Sequence, residues 1–282
     1  MFDSRAADIR RLNALSTDEV VQRAGEHLVV VENLDELHHH FAESIATTVE
    51  ANNAAGRLSA LILPYGPVGQ YPVLRDRIQR DAVSLEHCRL FFMDDYADEA
   101  GTAFDATHPL SFKGAVETWL ETIDPALRPR RENVIFPNES NAGELAAMIE
   151  GTGGIEVCYG GIGIHGHIAF NEPEAGVRDS GPRLVQLNEF TRTINAIREG
   201  VGGDLEHFPR QAWTLGMRQC LGARGVELYC RNTHGLGWSN TVLRLALLGE
   251  PGDDYPVTWI REHPNYRIVT DRNTLSSPEI LL

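Results

Sequence analysis

The chain alternates short apolar runs with stretches of helical period, and this alternation restricts it to one fold class. Strand-like runs stand at His27–Val31 (HLVVV), Leu58–Leu63 (LSALIL), Arg89–Met93 (RLFFM), Ile155–Tyr159 (IEVCY), Ala212–Leu215, Val226–Cys230 (VELYC) and Arg267–Thr270 (RIVT). Most are separated by helix-period segments at Leu34–Glu50, Leu74–Val83, Leu110–Ile123, Ala142–Ile149 and Thr241–Leu248. Buried strands alternating with helices predict an α/β chain with a mostly parallel sheet covered on both faces. Residues 1–26 are polar and mildly helical and read as an N-terminal helical extension packed on the outside. Residues 27–282 carry no repeat, low-complexity tract or linker and read as a single α/β domain.

Charge narrows the partners. The 282 residues hold 25 Lys and Arg against 40 Asp and Glu, a formal net charge of -15, which argues against wrapping nucleic acid or lying on an anionic membrane. No apolar run is long enough for a membrane span, and the first residues lack the apolar core of a signal peptide, so the expectation is a cytoplasmic protein. Cys88, Cys158, Cys220 and Cys230 form no CxxC pair, so neither disulfides nor a zinc site is expected. The single lysine, Lys113, has no feature that would lower its pKa, which disfavours Schiff-base chemistry. His38, His39 and His40 lie inside a helix-period run and point in different directions, so they read as helix surface rather than a metal tract.

In open parallel sheets ligands bind beyond the carboxyl ends of the strands, and three strand ends carry unusual text. LILPYGPVGQYP (61–72) is a Gly/Pro-rich turn leading into a helix, but it has no Ser, Thr or Lys, and Pro64, Pro67 and Pro72 lack an N–H to donate. In RLFFMDDYADEAG (89–101), Asp94 and Asp95 emerge at a strand end with side chains on different sides. One can face a half-apolar cleft as a general base while the other caps a turn. CYGGIGIHGHIAFNEPEAG (158–176) contains Gly161, Gly163 and Gly166 in a GxGxxG spacing, but Pro173 cuts short any following helix, so a dinucleotide is not expected. The glycines instead let backbone approach a small ligand. His165, His167 and Glu172 cluster in one short loop and form a candidate proton relay.

The last two segments resemble the glucosamine-6-phosphate deaminase family. MDDY (93–96), HPLSF (108–112) and above all GGIGIHGHIAFNEP (160–173) match its motifs, and FTRTINAIR (190–198), WTLGM (213–217) and PVTWIREHPN (256–265) follow in the family's order. The resemblance covers about residues 27–275. It implies a Rossmann-like three-layer αβα sandwich, a small sugar or sugar phosphate as substrate, no organic cofactor, no metal, and an oligomeric state anywhere from monomer to hexamer. It implies that Asp94 moves a proton between C2 and C1. His167, partnered by Glu172, opens the sugar ring, and Arg198 holds the substrate phosphate. Tyr65 and Gly66 in the turn, with Gly161, Gly163 and Gly166, are the expected substrate-binding positions.

Three departures accompany the resemblance. The family's Asp before Gly-His is here His165, still a candidate catalytic residue. The phosphate turn has lost its hydroxyls, and the family's late lysine falls near Ser239. The expectation is a weakened phosphate site unless Arg183, Arg192, Arg218 or Arg244 compensates. A non-catalytic sugar-binding protein and a phosphogluconolactonase-like hydrolase remain as alternative readings.

Overall fold

Residues 59–63 (SALIL) are buried at every position and divide between two cores, Ala60 and Ile62 packing on one side of a sheet and Leu61 and Leu63 on the other. The same division recurs along 88–92 and 225–230, where Phe91, Val226 and Leu228 join the first core and Leu90, Phe92 and Tyr229 the second. Side chains that alternate across a strand and are apolar on both sides require a layer of helices over each face.

The computed structural model describes residues 5–232 and 235–282. Its strands are β1 (Leu28–Val31), β2 (Ser59–Leu63), β3 (Cys88–Phe92), β4 (Asp94–Ala97), β5 (Val134–Ile135), β6 (Val157–Gly161), β7 (Arg183–Gln186), β8 (Gln211–Thr214), β9 (Gly225–Cys230) and β10 (Tyr266–Asp271). Seven form one sheet in the order β1-β10-β9-β6-β2-β3-β5, and every pairing in it is parallel. Helices Leu34–Ala54, Gln70–Asp81 and Phe112–Glu121 cover one face through residues such as Phe41, Ile78 and Val116. Helices Leu145–Glu150, Met217–Leu221 and Ser239–Leu248 cover the other. The fold is therefore the expected three-layer αβα sandwich. The helices Ala6–Asn13 and Thr17–Ala24 and the turn between them add Leu12, Leu15, Val20 and Ala24 to the first core, and Arg5 pairs with Asp254 at 2.6 Å.

Two expectations need correction. The run at 212–215 belongs to a separate antiparallel sheet, β4-β8-β7, rather than to the main one. Its burial alternates instead of being complete, as suits a strand with only one face in the core. The three consecutive histidines are not all helix surface. His39 is exposed, but His40 turns inward so that its Nδ1 lies 3.0 Å from the Tyr229 hydroxyl, and the His38 ring packs on Gly69. All four cysteines are buried free thiols. Among the described residues no helix is long and apolar enough to cross a membrane.

The topology dictates where a ligand can enter. From β2 the chain moves outward to β3, whereas β6 lies on the opposite side of β2. The connections leaving β2 and β6 therefore part, opening a crevice at their carboxyl ends.

Candidate active site

Four strand ends converge on that crevice. β2 delivers the turn that includes Pro64, Gly66 and Pro67. β3 delivers Met93 and Asp94, β6 delivers Gly161–Gly163, and β9 delivers Arg231; all of these line one cleft. Met93 ties the two sheets together, its N–H donating to the Leu63 carbonyl (2.9 Å) and its carbonyl accepting from the Leu215 N–H (2.7 Å). The remaining wall is the helix Glu189–Arg198, which is started by the Asn188 side chain accepting from the Thr191 N–H (2.9 Å). Thr191, Ile194, Asn195 and Arg198 fall three and four residues apart and share the face that looks into the cleft.

The adjacent aspartates take opposite environments. Asp94 lines the cleft, and burial first, with the charge of Asp95 second, pushes its carboxyl up to about 8, while Arg198 pulls it down. Asp95 points the other way and organises the backbone. One oxygen accepts from the Phe112 and Tyr96 N–H groups (both 2.9 Å), the other from the Lys113 N–H (3.0 Å) and the Ser111 hydroxyl (3.3 Å). Burial raises Asp95 to about 6, and those donors oppose the rise.

His167 lines the opposite wall. Its ring lies so close over Gly163 that any side chain there would overlap it, which is the physical reason for glycine at that position. Burial first, then the charges of His165 and Arg198, push the imidazole down to about 3, so it is neutral. Its Nδ1 is buried with no hydrogen-bond partner among the described residues.

The expected His167–Glu172 partnership does not form: no hydrogen bond joins the two. The loop folds back through an Ile168–Asn171 bridge, with Ala169 at φ 53°, and carries Glu172 toward the start of the 189–198 helix. There its Oε2 accepts the Asn188 N–H at 2.8 Å, a favourable place for a carboxylate, while Oε1 is buried without a partner. Burial raises the Glu172 carboxyl above its ordinary value. His165 also turns to Asn188, its Nδ1 3.3 Å from the side-chain amide, with Phe190 edge-on at 4.9 Å, and burial lowers its pKa. Neither Glu172 nor His165 lines the cleft.

Of the expected substrate-binding positions, Gly66, Gly161, Gly163 and Arg198 line the cleft and Tyr65 and Gly166 do not. The Arg198 guanidinium lies across Gly66, where a Cβ would come within 2.8 Å of Nη2. Tyr65 stacks on Tyr71 and lies tilted against Phe112, with ring centroids 6.0 and 5.1 Å away. Gly166 sits deeper, its carbonyl accepting from the Val257 N–H at 2.6 Å.

The four arginines named as substitutes in the phosphate site are engaged elsewhere. Arg183 holds Glu174 (2.6 Å) and Asn171 (2.8 Å), and Arg192 donates to the Pro209 carbonyl (3.2 Å). Arg218 donates to the Asp179 carbonyl (2.7 Å), and Arg244 to that of Ser276 (3.0 Å). Arg231, not singled out from the sequence, is the one that reaches the cleft beside Arg198. Its signal was available, because it directly follows the buried VELYC strand in a fold whose strand ends carry the site. Among the described residues no group of three or more His, Cys, Asp or Glu side chains is placed to hold a metal.

No protein-family model matches the chain. Its sequence is 31% identical over 213 residues to a glucosamine-6-phosphate deaminase of Caenorhabditis elegans, covering 73% of this chain and 76% of that one. It is 30% identical over 227 residues to the glucosamine-6-phosphate deaminase of Aeromonas salmonicida, covering 77% and 79% respectively. Its fold superimposes on a monomeric glucosamine-6-phosphate deaminase with a TM-score of 0.75 at 22% identity, covering 88% of this chain and 98% of that one. A 6-phosphogluconolactonase from Trypanosoma cruzi shares the fold at a TM-score of 0.64 and 15% identity, over 89% and 96% of the two chains. The chain belongs to the glucosamine-6-phosphate deaminase family and is an enzyme of the deaminase–isomerase type.

Proposed function

We propose that the protein converts an aldose amino sugar phosphate to the ketose phosphate and ammonia, with Asp94 as the base that acts on carbon. The observation that carries this reading is a buried carboxyl directly after β3 and a neutral imidazole in the loop after β6 lining one cleft. A neutral His167 has no proton to give at the outset. It takes one from the anomeric hydroxyl and returns it to the ring oxygen as the C1–O bond of the ring breaks, which yields the open-chain aldehyde. Asp94, ionised once its proton has left, then removes the C2 proton. The electron pair moves toward C1 and its oxygen takes up a proton, forming an enolamine. Return of a proton to C1 leaves an imine at C2, and water hydrolyses it to ketose and ammonia.

Asp94 works as a base only when ionised, so kcat/KM is expected to rise with pH through about 8 in the free enzyme. Glu172 and His165 act on this reading from behind, positioning the start of the 189–198 helix through Asn188 rather than touching substrate. The four buried thiols suit a reducing compartment, and we assign the enzyme to the cytoplasm on that footing.

Proton NMR in D₂O with glucosamine 6-phosphate, glucosamine and their galacto epimers tests the reading. Loss of the H2 signal together with ammonia release from a phosphorylated substrate is the expected result. No exchange and no ammonia with any of the four would overturn it in favour of a sugar-binding protein or another substrate.

A further inference from the structure

The turn after β2 offers an anion little. Pro64 and Pro67 have no N–H, no Ser or Thr hydroxyl occurs in residues 64–69, and the Tyr65 phenol belongs to an aromatic stack. Beyond the backbone N–H groups of Tyr65, Gly66, Val68 and Gly69, the charge for an oxyanion at this end of the cleft has to come from side chains, and two arginines line its walls. Arg198 arrives from the covering helix and lies across Gly66. Arg231 arrives from the sheet, as the first residue after β9, on the far side of the β6 end from that turn. Its backbone is fixed by the Ser239 hydroxyl, which donates to the Arg231 carbonyl at 2.7 Å from a fully buried position at the start of helix Ser239–Leu248.

We propose that Arg231 and Arg198 form a two-arginine clamp that receives a phosphate monoester across Gly66, making Arg231 the residue that sets a preference for phosphorylated over unphosphorylated amino sugar. The proposal rests on the deaminase reading for the rest of the substrate. A planar carboxylate is satisfied by a single guanidinium fork, whereas two forks entering from different walls suit a tetrahedral group with three terminal oxygens. Bringing two cations together in a partly buried cleft also has a cost without a ligand. Burial and the Arg198 charge both lower the Arg231 pKa, with Asp271 opposing, and a bound dianion relieves that repulsion. In a chain of net charge -15, a paired cationic site at one crevice also gives a polar anionic substrate a local place to settle.

Calorimetric titration of the full chain with inorganic phosphate and with glucosamine 6-phosphate, alongside ammonia-release kinetics, tests the clamp. Losing charge-assisted hydrogen bonds to an anion is expected to weaken both ligands by about 10- to 100-fold in R231Q. The kinetic loss should fall mainly on KM for glucosamine 6-phosphate, with KM for glucosamine unmoved. R231K, which keeps the charge but not the fork, should lie between wild type and R231Q, and it carries the test should R231Q fail to fold. An R231Q protein that binds phosphate like wild type while R198Q does not would overturn the clamp and leave the deaminase reading standing. Phosphate binding that depends on Arg231 in a protein that releases no ammonia would uphold the clamp and sink the deaminase reading instead.

Discussion

The two ends of the cleft are built on different principles. At the reacting end, Asp94 directly after β3 and His167 in the loop after β6 come from strands that flank β2 in one sheet, each fixed by a specific contact, Met93 bridging two sheets beside one and Gly163 lying under the other. At the anion end, the turn after β2 has little to donate, and the charge arrives on two long side chains from a helix and from β9. Proton transfer to carbon needs atoms at fixed positions. Holding an oxyanion needs charge and donors, which flexible arginines can bring from several points on a rim. The deepest cut into this contrast is Asp94→Asn. Loss of a general base typically costs 10²–10⁴-fold, so kcat should fall at least about 100-fold. Inorganic phosphate should still bind as tightly as to wild type, and a variant that loses phosphate as well would show that the two ends are one unit.

Paired glycine substitutions sharpen the same contrast. Gly163→Ala drives a methyl into the His167 ring, three atoms of which it would overlap, so the ring must move as a whole. A displacement of about 1 Å at a reacting group can cost roughly 10²-fold, and the loss is expected in kcat. Gly66→Ala sets its methyl 2.8 Å from the tip of Arg198, an end that can swing aside. Here the expectation is a rise in KM of only a few fold, about the size of one weakened contact. Steady-state ammonia-release kinetics on both variants would read the split, and equal effects on kcat would erase the distinction between the two ends.

The alternation of buried strands and helical segments made the main sheet legible, because a strand apolar on both faces leaves a continuous run in the sequence. β4, β5 and β7 were not anticipated, for the reason that their stabilising context is not local. β5 has two residues, β4 opens with two carboxylates, and β7 (RLVQ) is only half-buried, so each exists through its pairing partners. In the site, the split roles of Asp94 and Asp95 follow from strand geometry, since neighbours on a strand face opposite ways. Glu172 was misplaced because its distance from His167 along the chain is short. What separates them is a reversal at Ile168–Asn171 and the pull of a helix start formed by residues sixteen positions later. Arg231 stands outside the family motifs, and only its place directly after β9 marks it for the cleft.

The smallest expected effect concerns stability. The Asp94 carboxyl is raised from its unfolded value near 3.8 to about 8, so between those pH values the unfolded chain releases a proton that the folded chain keeps. The native state is therefore favoured most at low pH by this group, and its contribution is lost as pH climbs toward about 8. Asp95, raised to about 6, acts in the same direction over a narrower window. Activity and stability thus run oppositely on one carboxyl, ionisation giving the base its function and costing the fold. Asp94→Asn removes the titration while keeping the shape. Its melting temperature should match wild type near pH 4 and exceed it by a margin that widens as pH rises toward about 8. Thermal denaturation across that range checks the sign. A difference that does not grow with pH would mean that Asp94 is ionised in the resting cleft, and that Arg198, the cation opposing the rise, holds it so.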